Sequence, residues 1–215
     1  MDFKSIEEMD PSLADGHRVM YDREVPFELR TQESSQKPHD VGTLEAVKVK
    51  VLCLGEENSI LSLRIELSSE SDLFFHFCCN INQNGFRQLQ DEQKLMCEFK
   101  GFASILLKML NRCIKEPQSF LAVLILTSDG HAVLEFVQNM EYKFVELLVL
   151  PFKESPEYVI RQQISYRYNS LRSRMSVMQS RLQDVNALVK IKNPSLLMQL
   201  QRNSQLNANA LGAMS

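Results

Sequence analysis

Eight apolar side chains near the C-terminus recur with alternating spacings of four and three residues. A repeat that averages 3.5 residues over at least about three heptads is typical of a coiled coil, whereas a helix packed on a globular body drifts toward a period of 3.6. The flanking residues are polar, which favours a narrow seam. A helix folded back on the rest of the chain is the alternative. The predicted dimer interface consists of Ile164, Tyr168, Leu171, Met175, Met178, Leu182, Val185 and Val189.

The charges beside this seam predict a weak dimer. The first three g positions of the heptads are all arginine, at residues 167, 174 and 181. In a parallel dimer, Arg167 would face the partner's Arg172, with no acid to compensate. Methionine at the a and d positions fills space but specifies geometry poorly. Asn193-Pro194 then interrupts the helix, because proline inside a helix costs about 3 kcal/mol.

The chain before residue 157 shows strand periodicity instead. Residues 44–54 and 59–67 alternate on either side of a turn, which predicts a β-hairpin. Residues 73–81 are almost continuously apolar and predict a central strand that is covered on both faces. Residues 24–30 also alternate, and Pro26 would confine this strand to a sheet edge.

Helical periodicity appears midway through this region. It predicts helices over residues 84–93 and 102–114, with a short strand at 95–99 between them. Further strands are predicted at residues 119–126, 132–137 and 145–152. Seven or eight strands joined mostly by short turns indicate antiparallel pairing. The predicted fold class is therefore α+β, with an antiparallel β-sandwich or barrel head, an inserted helical pair and a long C-terminal coiled-coil helix.

These patterns divide the chain into four predicted parts. Residues 1–17 are polar and weakly patterned, which predicts a mobile extension. Residues 18–153 are the globular head, and residues 154–192 are the start of the coiled-coil stalk. Residues 193–215 are expected to be a helical or frayed continuation of a coiled coil that is cut short.

Composition argues against several functional classes. Only 7 glycines occur in 215 residues and none form a cluster, so phosphate-cradling loops are missing. A formal net charge of -3 gives no general attraction to nucleic acid or anionic membranes. No apolar run approaches the roughly 20 residues that span a bilayer. Five cysteines without a regular framework are typical of a reducing intracellular compartment.

The residues that could carry chemistry do not form a recognisable site. His76 and Cys78 would share a strand face, but no second ligand pair follows at metal spacing, so buried core residues are expected. Cys97 and His131 could act as nucleophile and base, yet nothing in the sequence orients them. We therefore expect no enzyme, no metal site and no cofactor.

Short segments dispersed over the head form a family-like pattern: EVPF at 24–27, SDLFF at 71–75, FRQL at 86–89, EQ at 92–93, EF at 98–99 and Phe102. Together they resemble the N-terminal head domain of the spindle assembly abnormal protein 6 family, which builds the centriolar cartwheel. The resemblance covers roughly residues 18–190. Three departures are Asn84-Gly85 at an acidic pair of the family pattern, Lys94 at a glycine and Glu98 at an aspartate.

The resemblance implies a structural scaffold. Proteins of this family dimerise in parallel through the coiled coil, and their heads pair a second time to form the hub needed for centriole duplication. A bulky residue at a hairpin tip enters a pocket of the neighbouring head. The spacing favours Tyr142 as this residue, and Phe144 is the simpler chemical choice because the tyrosine hydroxyl needs a partner. Beside them, Met140, Phe86, Leu89 and Gln93 are the other implied head–head residues.

The same resemblance sets the expected location and partners. The expected partners are a second copy of the chain and other centriolar proteins, without nucleic acid or membrane. The expected location is the cytoplasm, at the cytoskeleton and the centrosome or centriole. The alternative is a coiled-coil scaffold of the end-joining DNA-repair class, which has the same head-plus-stalk fold and would use the basic flank of the stalk.

Overall fold

The computed structural model describes residues 3–32, 42–56 and 59–192. Residues 10–165 form one compact unit, and residues 3–9 belong with the described residues from 166 onward in a second. The helices are α1 (Phe3–Glu7), a 3₁₀ segment (Pro11–Gly16), α2 (Gln83–Gln93), α3 (Phe99–Lys115) and α4 (Glu157–Lys192). The strands are β1 (Arg18–Gln32), β2 (Thr43–Glu56), β3 (Ser59–Ser69), β4 (His76–Asn82), β5 (Phe120–Thr127), β6 (His131–Asn139) and β7 (Phe144–Glu154).

The seven strands close into a barrel in the order β1-β2-β3-β4-β7-β6-β5. Neighbouring strands are antiparallel except β1 and β5, which pair in parallel from Phe27↔Ala122 to Gln32↔Thr127. The predicted α+β class, the hairpin and the inserted helical pair are confirmed. The prediction that residues 24–30 form an edge strand is wrong, because β1 pairs with β2 on one side and β5 on the other. Pro26 lies just before the segment that pairs with β5, so its missing N–H leaves that ladder intact.

The core is formed by one face of each strand and by the two inserted helices. Val47, Val49 and Val51 of β2 alternate inward and are fully buried. Helix α3 contributes a stripe with helical spacing. Its buried members are Phe102, Ala103, Leu106, Leu110 and Cys113.

One predicted strand begins later than expected and another does not form, because local hydrogen bonds hold these residues in turns. The run predicted from residue 73 begins as a turn, because the Phe74 N–H donates to the Asp72 carboxylate over 2.9 Å. As a result Phe74 is 69% exposed, and β4 starts only at His76. Residues 95–99 form no strand, since the Gln90 amide donates to the carbonyls of Leu95 and Cys97.

The N-terminal segment contains two short helices. Residues 1–17 were expected to be a mobile extension, which stays a prediction; within residues 3–16 the structure describes α1 and the 3₁₀ segment. Asp10 caps the latter by accepting from the Ser12 N–H, with Pro11 at the first helical position. The continuation expected over residues 193–215 lies outside the described residues, and the predicted domain limits stay predictions.

Ser12 is the centre of a buried polar cluster on the outer face of β2 and β3. Its hydroxyl donates to the Glu66 carboxylate over 2.6 Å and accepts from the Gln163 amide over 2.9 Å. Arg64 donates to the Ser12 carbonyl, and Lys50 pairs with Asp10 at 2.5 Å. These bonds attach the 3₁₀ segment and the first turns of α4 to the barrel, since buried polar groups need partners.

Candidate self-association surfaces

The turn between β6 and β7 is an exposed aromatic tip. The strands separate after the pair Asn139↔Phe144, and the Met140 N–H donates to the Lys143 carbonyl over 2.9 Å. Tyr142 is 94% exposed within this turn, whereas Phe144, the first residue of β7, is 63% exposed. Met140 is 47% exposed beside them. Apolar area of this size at a rigid turn is a typical anchor for a second protein.

A pocket of about 370 Å³ opens beside α2 on the same head. Phe86 forms its floor, being only 2% exposed and packed in a tilted arrangement against Phe99 and Phe102 at ring-centroid distances of 5.4 and 4.9 Å. The wall combines one face of α2, Ile60 at the start of β3 and residues 98–100. Only Ile60, Phe86 and Phe99 of the nine lining residues are apolar, so the pocket offers a small apolar surface within a mostly polar wall.

The rim of this pocket is charged. Arg87, Glu98 and Lys100 all line it, and none of them takes part in the ion pairs of the described residues. The tip carries Glu141 and Lys143 on either side of Tyr142, also outside those ion pairs. Both surfaces therefore present charges of both signs that are free to pair with another molecule.

The other predicted head–head residues lie deeper in the head. Leu89 belongs to the hydrophobic core and is 9% exposed. The Gln93 amide donates to the Val149 carbonyl over 2.7 Å and accepts from the Val149 N–H over 2.8 Å. Only Phe86 of the three lines the pocket. A contact of Leu89 or Gln93 with a second head stays a prediction.

Sequence reasoning missed most of the pocket wall. On α2, Gln83, Arg87 and Gln90 line it together with Phe86. Their positions follow the i, i+3, i+4, i+7 spacing of a single helical face, so the signal was present in the sequence. It was overlooked because only one of the four is apolar.

The helix α4 confirms the predicted long helix, and its 36 residues span about 54 Å at about 1.5 Å per residue. The six central seam residues, from Tyr168 to Val185, are each between 53% and 69% exposed. A row of exposed apolar residues at heptad spacing is what a two-helix interface requires. On the flank, Arg174 pairs with Glu7 at 3.3 Å. The seam as a dimer interface stays a prediction.

The cysteines and the histidine that could act as nucleophiles or metal ligands lie in surroundings typical of structural residues. Burial raises the pKa of Cys78 to about 11 and that of Cys79 to about 12, so neither is a ready thiolate. His76 is buried and its Nδ1 lies 2.8 Å from the Ser155 hydroxyl. Across the described ranges no group of three or more His, Cys, Asp or Glu side chains could hold a metal ion. Nor does any helix in them have the length and apolarity to cross a membrane.

Comparison with known proteins gives the same picture of a head followed by a stalk. The family model of the centriolar protein SAS N-terminal domain matches residues 19–152. A spindle assembly abnormal protein 6 homolog from Gallus gallus is 24% identical over 98 residues, which are 46% of this chain. The chain matches only 15% of that relative's length.

Solved structures extend the likeness into the helix. An N-terminal fragment of Leishmania SAS-6 with parts of its coiled coil, a point variant, has a TM-score of 0.68 at 16% identity, covering 83% of this chain and 98% of that one. A Drosophila melanogaster Sas-6 N-terminal fragment, dimerised via its coiled-coil domain, has a TM-score of 0.68 at 14% identity over 96% of this chain and 98% of that one. A coiled-coil dimer of C. elegans SAS-6 has a TM-score of 0.61 at 16% identity, covering 76% and 96%. At these identities the likeness concerns the fold.

Proposed function

Because this chain belongs to the family of centriolar SAS proteins, whose N-terminal domain spans residues 19–152, we propose that it is a self-assembling structural scaffold of the centriole cartwheel. The resemblance seen in the sequence is thereby confirmed. The scaffold would form a hub needed for centriole duplication, within the cytoplasm at the centrosome. Its partners would be further copies of itself and other centriolar proteins. Such a role needs no catalytic group and no cofactor.

The first contact in this proposal is a parallel coiled coil through α4. It is supported by the exposed seam and by the solved coiled-coil dimers of similar fold. The arginines of the flank keep it weak, because Arg167 faces the partner's Arg172 in this arrangement. A weak stalk dimer tethers two heads and raises their effective concentration for any further contact.

The second contact is a reciprocal pairing of heads, with the tip of each entering the pocket of the other. The observation that carries it is the 94% exposure of Tyr142 on a head that also bears a pocket floored by Phe86. A patch that contains both a projection and its receptor is self-complementary, as a two-fold contact demands. The polar wall residues Gln83 and Gln90 offer partners for the tyrosine hydroxyl, which favours Tyr142 over Phe144.

Alternation of the two contacts would generate a closed ring or an open spiral, depending on the angle between them. Each contact is small, so each alone is expected to be weak. Assembly then depends on both contacts together, which suits a structure that must form at one place and time.

Sedimentation velocity of the full chain tests the proposal. The wild-type chain should form species larger than dimers, and Tyr142→Glu should stop at the stalk dimer. Leu182→Asp should stop at the head pair, because it places a charge in the seam. The matched control is Phe74→Glu, which alters an exposed aromatic residue that belongs neither to the tip turn, nor to the pocket lining, nor to α4.

Three results would each contradict part of this proposal. Tyr142→Glu could leave the species larger than dimers unchanged while Phe144→Asp removes them, which would make Phe144 the tip residue. If neither substitution changes self-association, the head contact does not exist as described. Binding of duplex DNA at low salt, lost steeply as salt rises, would instead favour the DNA-repair class.

A further inference from the structure

The barrel has one weakly paired position, where β4 meets β7. These strands pair only at Phe77↔Glu154 and Cys78↔Lys153. In contrast, β7 pairs with β6 from Asn139↔Phe144 to His131↔Lys153. From residue 144 to 152, β7 therefore has a neighbouring strand on one side only.

Gln93 replaces the missing strand at the middle of this open edge. Its side-chain amide donates to the Val149 carbonyl at 2.7 Å and accepts from the Val149 N–H at 2.8 Å. Exchange of both bonds with a single residue is the pattern that one residue of an antiparallel strand would make. We call this pair of bonds the Gln93 bridge.

The Gln93 bridge connects the two halves of the proposed head contact. Helix α2, which ends at Gln93, carries four pocket residues, Gln83, Phe86, Arg87 and Gln90. Strand β7, which holds Val149, begins at Phe144 beside the tip. We propose that Gln93 is a positioning residue that fixes the distance between tip and pocket within one head, so that two heads engage both tips at once. This inference rests on the proposed function.

The reason lies in the geometry of a reciprocal contact. A two-fold pair contains the same tip-to-pocket distance twice, so both insertions fit only if each head holds that distance. Once one tip is inserted, the second insertion is intramolecular and gains from a high effective concentration. A head without the Gln93 bridge would keep its tip and its pocket and would lose this gain.

The test separates single from double insertion. All chains carry Met175→Asp and Leu182→Asp, so that association through the stalk seam is removed and the heads are the contact measured. A chain with Tyr142→Glu can accept a tip but cannot give one, so its pairing with any other chain reports one insertion. Dissociation constants for like and mixed pairs come from NMR titration of the isotope-labelled chain.

Gln93→Leu should weaken pairing with itself by at least about tenfold. Its pairing with a chain that carries both Gln93→Leu and Tyr142→Glu, which uses one altered head's tip and the other's pocket, should differ by less than about twofold from wild-type pairing with the Tyr142→Glu chain. Gln93→Glu keeps the acceptor for the Val149 N–H and loses the donor, so it should fall between Gln93→Leu and the wild type. The control Gln88→Leu alters an exposed residue of α2 that bonds only Glu92, and it should change neither value. Protection of the buried Cys79 thiol from alkylation checks that each head is folded.

Other outcomes overturn the inference. Unchanged self-pairing of Gln93→Leu would show that the bridge does not set the distance. An equal loss in like and mixed pairs would show that Gln93 only maintains the tip or the pocket. Absence of pairing between heads that carry an unaltered tip would refute the proposed function itself, and the inference with it.

Discussion

Replacement of Ser12 by alanine should destabilise the head far more than the loss of a single oxygen atom suggests. The hydroxyl is the donor to Glu66 and the acceptor from Gln163, and Ser12 is only 1% exposed. A buried polar group left without a partner costs about 1–3 kcal/mol, and bonds to charged groups lie at the upper end of that range. The Lys50 ammonium also donates to this oxygen, over 3.3 Å. Because the three bonds share one oxygen, their losses are not additive. We expect Ser12→Ala to lower the free energy of unfolding by about 2–4 kcal/mol.

The cysteines supply an assay that reports on the head alone. All five lie between residues 53 and 113, and Cys53, Cys79 and Cys113 are buried. Pulsed alkylation at increasing urea therefore follows unfolding of the head without a contribution from the stalk helix. The matched control is Ser128→Ala, which alters an exposed serine in the turn between β5 and β6. It should change the free energy by less than about 0.5 kcal/mol.

A double-mutant cycle decides whether the polar cluster is the cause. Gln163→Leu removes the donor that Ser12→Ala would strand, so the double variant should lose less than the sum of the single losses by about 1 kcal/mol. Strict additivity, or a loss below about 0.5 kcal/mol for Ser12→Ala, would refute the reasoning. Either result would mean that the cluster is not coupled as its distances indicate.

Three further predictions concern charge and backbone. Burial is the main cause that raises the pKa of Glu135 above its ordinary 4.5, so the charged carboxylate weakens the fold at neutral pH. Glu135→Gln should therefore raise the melting temperature at pH 7. This gain should vanish below pH 4.5, where the carboxyl is protonated in the folded and the unfolded chain. Arg172→Glu should strengthen the stalk dimer in sedimentation equilibrium, because it would face the partner's Arg167 with opposite charge. Gly55→Ala should lower the free energy of unfolding in urea by at least about 2 kcal/mol, because Gly55 has φ +105° and the new Cβ would lie 2.4 Å from a backbone oxygen. Gly101→Ala, whose new Cβ would meet nothing within 4 Å, should instead stabilise α3 by about 0.5–1 kcal/mol.

The sequence predicts elements whose signals are local. The hairpin of β2 and β3 shows its alternation in full, and α3 shows its helical face. The parallel pairing of Phe27 with Ala122 has no such signal, because the two residues are far apart in the chain and only closure of the barrel brings them together. The turn at Asp72 did have a signal, since aspartate commonly accepts from the N–H two residues later.

The candidate site divides in the same way. Tyr142 was located through the family resemblance, which places it between two predicted strands, and the structure adds its exposure. The role of Gln93 could not be read from the sequence, because its partner Val149 lies on a distant strand and the bonds are made to backbone atoms. Ser12 was missed for a similar reason, since its partners Glu66 and Gln163 are remote in the chain.

The closure of the barrel by β1 and β5 determines how these heads behave when they are crowded together. An open sheet offers free edges, and any strand from another chain can extend it without limit. Over the described strands this head is a closed ring of seven, and its one open stretch of edge, residues 144–152 of β7, is blocked at its middle by the Gln93 side chain. In the proposed assembly, neighbouring copies therefore join through side chains. Such joining is saturable: once the available contacts are occupied, growth stops. Because each head then has a finite valence, a crowded assembly site can fill with ordered copies without turning into an aggregate.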